Sequence, residues 1–272
     1  MTDARWQLVA YVFVSIVLWM VAAQFARRRD ISWTRRLSQG WAASILRFVY
    51  YIGLPYAALV LGVVPGRYLG LVGLNRLPVG GAPLWGDVWQ FLSQVRDALS
   101  LVILDWLPDL GTMISLSAVM LLLLSITWLG YSRFRRGVVP GPHYPPSSPR
   151  PSSPPDFGGR RGRQSPLSAV YQAIHWSFYR SAVWLLTDDL YLGVIGGILL
   201  VGLEWMLDPG WMARVRHAPV VEESLVDASL LIATSVMYFF VPNLWLLVPI
   251  HWLLAVVSRR WAMTVFVIPQ TR

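Results

Sequence analysis

The chain has 272 residues, of which 56% are hydrophobic and only 14% charged, whereas a soluble domain is nearer a quarter charged. This excludes an ordinary cytosolic enzyme, a disordered regulator and a secreted disulfide scaffold. The absence of cysteine also removes thiolate, disulfide and iron–sulfur chemistry. All 23 basic residues are arginine; against 14 acidic residues they give a net charge of +9. In a soluble protein that excess would point to nucleic acid, but the apolar fraction argues against nucleic acid and for a bilayer.

The first apolar run, residues 6–26, is long enough to cross a hydrocarbon core of about 30 Å. Its strong charge, Arg27-Arg28-Arg29, follows the run. The run therefore reads as a retained span with an outside N-terminus, not as a cleaved signal peptide. A second span is expected over residues 48–64, where Gly53 and Pro55 are tolerated if neighbouring helices satisfy the freed backbone groups. Residues 84–107 place Trp85, Val88, Trp89, Leu92, Val95 and Leu99 at helical spacing among polar positions, which predicts an amphipathic helix at the interface. A third span, residues 110–131, precedes Arg133, Arg135 and Arg136.

The composition then changes. Residues 137–166 hold 9 of the 19 prolines, with serine, glycine and almost no apolar side chains. The segment cannot bury a core and is expected to be a disordered, partly polyproline cytoplasmic linker. It separates an N-terminal membrane half, residues 1–136, from a C-terminal half, residues 167–272. The C-terminal half contains four segments: 167–186, 190–207, 224–241 and 244–257. The first carries Gln172, His175 and Arg180, and if it lies at the interface the span count falls from seven to six. The last is short and interrupted by Pro249, so it either crosses with help from the following residues or re-enters. The expected fold is thus an all-α, polytopic transmembrane bundle of about seven spans.

With seven spans, 17 arginines lie inside and 4 outside, and the net charge divides into +12 inside, −3 outside and zero within the spans. That is the positive-inside bias. It implies a bacterial cytoplasmic membrane, with the linker and C-terminus cytoplasmic and the arginine-rich face meeting anionic lipids. Many of the 15 tryptophans, Trp19 and Trp205 among them, fall near span ends, where indoles anchor helices at the interface.

Ionisable residues at membrane depth are costly and mark functional sites by default. His175, Arg180, Glu204 and Asp227 are such candidates. Their simplest arrangement is an ion pair of Arg180 with Glu204 or Asp227, which costs less than burying either charge alone. As a functional set they would suit a small transporter or proton-coupled device. Glu222-Glu223 precede an apolar run, where acids complement a helix N-terminus. They could instead supply a general base and a metal-organising partner, completed by His251. Gly193, Gly196 and Gly197 suit close helix packing. There is no nucleotide-binding or other cofactor motif, so no cofactor is expected, and whether a metal is bound stays open.

The string Ala218-Pro219-Val220-Val221-Glu222-Glu223-Ser224-Leu225-Val226-Asp227 resembles the opening Glu-Glu-x-x-x-Arg motif of the CAAX-protease and bacteriocin-processing intramembrane peptidases. Asn243-Leu244-Trp245-Leu246-Leu247-Val248-Pro249-Ile250-His251 is similar to that family's final helix. The resemblance implies a metallopeptidase site at Glu222, Glu223 and His251. Asp227 stands where the family has Arg, and Ala255 where it has Asn or Asp, which implies a degenerate, inactive member. The first functional reading is therefore a non-catalytic multi-pass scaffold or accessory subunit with a membrane-protein partner. The divergent peptidase and the transporter are the alternatives.

Overall fold

The computed structural model describes residues 2–27, 41–73, 88–138, 166–208, 211–212, 215 and 221–264. Every regular element among them is helical, and no strand occurs among the described residues. In chain order, α1 is Thr2–Arg27. Next, α2 (Trp41–Phe48) runs through a π-helical turn, Val49–Gly53, into α3 (Leu54–Val60). Then follow α4 (Val88–Val138), α5 (Pro166–Thr187), α6 (Leu190–Leu207), α7 (Val221–Phe240) and α8 (Leu244–Thr264).

The central element is α5. It packs against α1, the π-helical turn, α3, α6 and α8, and every residue from His175 to Ala182 is buried. A helix covered on all sides by protein can carry polar groups, provided its neighbours satisfy them. The turn into α6 follows from two acids: Asp188 adopts a left-handed conformation with φ 54°, which Asp tolerates better than most residues. Asp189 then caps α6, its carboxylate accepting from the backbone N–H of Tyr191 at 2.7 Å and of Leu192 at 3.2 Å. The returning helix lies close because Gly193, Gly196 and Gly197 face α5. A Cβ on Gly197 would stand 2.5 Å from Arg180 Cγ, and one on Gly193 would stand 2.6 Å from Trp184 Cβ.

The α7–α8 connection is fixed from two sides. Asn243 accepts the Trp245 backbone N–H through Oδ1 at 3.2 Å and donates through Nδ2 to Asp109 of α4 at 3.3 Å. The segment after α3 is pinned to the same end of the bundle. The Tyr68 carbonyl accepts from Ser181 Oγ at 2.6 Å and from the Tyr238 hydroxyl. The Leu244 N–H donates to the Gly70 carbonyl at 2.8 Å. Gly70 has φ +76°, and a Cβ there would meet Pro242 O at 2.8 Å, so only glycine fits.

Among the described residues, three helices are long and apolar enough to cross a membrane: Ser93–Phe134, Leu190–Leu207 and Val221–Phe240. Seven were expected. The apolar stretches Arg5–Val21 and Ser44–Val60 are shorter, and α5 carries Gln172, His175 and Arg180 along its length. The amphipathic helix 84–107 and the span 110–131 are also not separate: from Val88 they form one 51-residue helix with Pro108 inside, about 77 Å long at 1.5 Å per residue. Pro108 takes one N–H out of the ladder but does not stop the helix. Beyond it the hydroxyls of Thr112, Ser115, Ser117, Ser125 and Thr127 bond carbonyls four residues back, a local partner for polar groups on an apolar helix. Nearly all of the expected linker falls outside the described residues.

If the glycine face sets the α5–α6 separation, Gly197→Ala and Gly193→Ala should each destabilise by about 1–3 kcal/mol, the usual cost of overpacking. Gly202→Ala should not, because nothing lies within 4 Å of a Cβ built there. Unfolding midpoints of the purified variants in detergent check this, and equal midpoints for all three would refute it.

Candidate functional site

Glu204, three residues before the end of α6, is 3% exposed. Its carboxylate gathers side chains from two other parts of the bundle. The Tyr50 hydroxyl donates to Oε1 at 2.5 Å, and the Tyr179 hydroxyl donates to the same oxygen. His175 Nε2 lies 3.2 Å from Oε2 and 2.8 Å from the Tyr50 hydroxyl. The single proton of Tyr50 is committed to Glu204, so Nε2 must be the donor, shared between the carboxylate and the tyrosine oxygen. The same reasoning places a proton on Ser15: its Oγ is 2.9 Å from the Tyr179 hydroxyl, whose own proton is spent on Glu204. Trp19 Nε1 donates to the Glu204 backbone carbonyl at 2.9 Å, tying α1 to the end of α6.

Tyr50 reaches this position because of the π-helical turn. Pro55 has no N–H to continue the ladder, and the Leu54 N–H bonds Val49 O five residues back. Such a turn widens the helix and re-aims its side chains, a feature common at functional sites. Tyr50 and Tyr51 consequently both lie against His175, with ring centroids 4.5 and 5.3 Å away, and Tyr179 adds a third ring at 4.5 Å. Tyr51 in turn stacks on Tyr171 at 5.7 Å. The imidazole is thus enclosed by aromatic rings. Its Nδ1 has no hydrogen-bond partner. Three side-chain donors, two phenol hydroxyls and the imidazole, thus converge on the Glu204 carboxylate.

Of the candidates read from sequence, His175 and Glu204 come together. Arg180 does not pair with Glu204 or Asp227. It is 1% exposed; its Nη2 donates to Ser235 Oγ at 2.8 Å and Thr234 Oγ1 at 3.2 Å, and its Cζ lies 5.4 Å from the Tyr238 ring centroid. The reason is helical geometry. Arg180 is five residues beyond His175, so it faces α7 where the neighbouring side chains are hydroxyls. Asp227 instead accepts from Arg259 Nη2 at 2.8 Å in a partly exposed pair near the open ends of α7 and α8. Glu222 is buried in the first turn of α7 and Glu223 is exposed. His251 is buried on α8, edge-on to Trp176 at 5.1 Å, and its Nε2 lies 3.3 Å from Gln172 Oε1. Among the described residues, no group of three or more His, Asp or Glu side chains is placed to hold a metal ion.

Comparison with family models, curated proteins and solved structures finds no match. The reading therefore rests on the site's own chemistry. Sequence reasoning missed Tyr50, Tyr179 and Ser15, and assigned Trp19 to the interface alone. Tyr179 is four residues after His175, one turn along the same face, and Tyr50 sits just before a mid-segment proline; both signals were present.

Because Tyr50 and Tyr179 share one acceptor atom, their effects should be coupled. Tyr50→Phe and Tyr179→Phe should each cost about 1.5–3 kcal/mol, the range for a hydrogen bond to a charged group. The double variant should depart from the sum by about 0.5–3 kcal/mol, read by denaturant unfolding. Additivity would show that the two hydroxyls do not share Glu204. Asp227→Asn should cost under about 1 kcal/mol, as partly exposed pairs do.

Proposed function

We propose that the chain is a multi-pass integral membrane protein that works as a small proton-coupled transporter, with Glu204 and His175 as its proton-binding pair. The observation that carries this reading is the convergence of an imidazole and two phenol hydroxyls on one buried carboxylate. Ionisable groups inside a bundle are expensive, and proton relays are a principal reason to keep them. The tyrosines and Ser15 supply hydroxyls through which a proton can pass along existing hydrogen bonds.

Contacts between α5 and α6 support an alternating arrangement: His175, Arg180 and Trp184 along α5 meet positions that recede along α6, namely Glu204, Gly197 and Gly193. These two helices therefore run antiparallel. With the arginine-rich segments inside, as the charge bias favours, the Glu204 centre lies in the cytoplasmic half of a bacterial cytoplasmic membrane, and anionic lipids meet that face. A second reading, a non-catalytic accessory subunit, draws on α4. This helix is longer than one crossing needs, and Leu101, Ile103, Leu104 and Leu107 are exposed on the part that precedes Pro108, so a partner helix could cover them. The resemblance to intramembrane peptidases gains no metal-holding trio among the described residues, and no hydrolytic step is assigned to Glu222, Glu223 or His251.

The test is proton uptake into proteoliposomes holding a pH-sensitive dye under an imposed membrane potential. Wild-type protein should acidify the lumen, and Glu204→Gln should fall to the level of empty vesicles while its circular dichroism stays helical. Equal uptake by the two proteins, or none by wild type, would overturn the reading. A purely structural carboxylate would lower the unfolding midpoint in Glu204→Gln and leave uptake intact.

A further inference from the structure

Arg180 is the most deeply buried cation among the described residues, and its surroundings do not balance its charge. A guanidinium has five N–H donors. Two are used, by Thr234 and Ser235, while Nε and Nη1 have no hydrogen-bond partner. Both partners are neutral hydroxyls, and the Tyr238 ring adds only a face contact. Among the described residues, no carboxylate stands within ion-pair distance of it: Glu204 is engaged by His175, Tyr50 and Tyr179, and Asp227 by Arg259.

A second polar orphan lies beside it on the helix. The Ser177 hydroxyl is 0% exposed and has no hydrogen-bond partner. Ser177 precedes Arg180 by three residues, which puts both on neighbouring positions of one helix face. Long side chains on a helix lean toward its N-terminus, which is the direction of Ser177. On α6, Gly197 packs against the arginine stem, and its missing side chain leaves room for it: a Cβ would meet Cγ at 2.5 Å. An unbalanced buried cation is strongly unfavourable, and a charged group with several unfilled donors is the chemistry that captures an anion.

We propose that Arg180 and Ser177 form a binding site for a small monovalent anion, a halide or a carboxylate, inside the helical bundle. The anion accepts from the free guanidinium N–H groups and from the Ser177 hydroxyl, and it supplies the countercharge that no side chain provides. This goes beyond the proton-coupled reading and does not depend on it, because the site stands on the burial and unfilled donors of Arg180 and Ser177 alone. Binding itself is independent of flux, so the two can fail separately.

The experiment is the thermal midpoint of the purified full chain in detergent at constant ionic strength, with methanesulfonate, neither halide nor carboxylate, replaced stepwise by chloride or by formate. A ligand that binds only the folded state raises the midpoint in a saturable way. Wild type should show a saturable rise with at least one of the two anions. Chloride alone assigns a halide site, and formate alone a carboxylate site. Arg180→Met keeps the stem length without the charge and should lose the rise; Arg180→Gln serves if the methionine variant does not fold. Ser177→Ala should shift the saturation to higher anion concentration. Glu204→Gln should keep the rise, since it leaves the anion site untouched even if proton uptake is lost. No rise in wild type, or the same rise in Arg180→Met or Arg180→Gln, would overturn the site.

Discussion

The organisation of this protein depends on one constraint: the polar side chains of α5 are buried away from water and must be satisfied by other helices. An unsatisfied buried donor or acceptor costs about 1–3 kcal/mol, and a charged one more. That cost orients the neighbours. The π-helical turn brings Tyr50 to Glu204, α1 presents Ser15 and Trp19, α6 presents Glu204, and α7 presents Thr234, Ser235 and Tyr238. Apolar contact alone would let helices slide or rotate against one another, because it is non-directional. Hydrogen bonds with fixed angles do not allow this, so the polar centre gives the bundle its register.

The same constraint separates the buried charges instead of neutralising them against each other. Glu204 is held by donors from a histidine and two tyrosines, Asp227 by Arg259 at the partly exposed end of α7 and α8, and Arg180 by hydroxyls. A direct Arg180–Glu204 pair would make a static lock. In its place stand two distinct polar centres on one helix, five residues apart, with opposite preferences. One is built around a carboxylate and the other around a guanidinium. Gly197 and Gly193 make the spacing possible by letting α6 approach the backbone of α5.

Much of the architecture was legible in the chain. The C-terminal helices fall close to the apolar runs read from sequence: 190–207 coincides with α6, while 224–241 lies within a few residues of α7. Hydrophobic periodicity reports such elements because burial and backbone hydrogen bonding act on consecutive residues. The continuity of α4 through Pro108 was not legible. A single missing N–H is a local signal for a break, and only the flanking helical stretches decide whether the ladder resumes. His175 and Glu204 were identified as costly residues, but their union was not. They are 29 residues apart, and nothing local says which of several buried charges meet.

By itself, then, the sequence determined an all-helical, strongly apolar chain, the positions of most helices, the polar residues of α5 and a glycine face on α6. These are properties of neighbouring residues, and the 3.6-residue repeat exposes them. Only the tertiary structure decided that Glu204 meets His175, Tyr50 and Tyr179, that Asp227 goes to Arg259, and that Arg180 is left among hydroxyls. Pairing at a distance depends on the azimuth and depth of each helix against its neighbours. A π-helical turn, three glycines and a left-handed Asp188 set these quantities, and no pattern within a single helix encodes them.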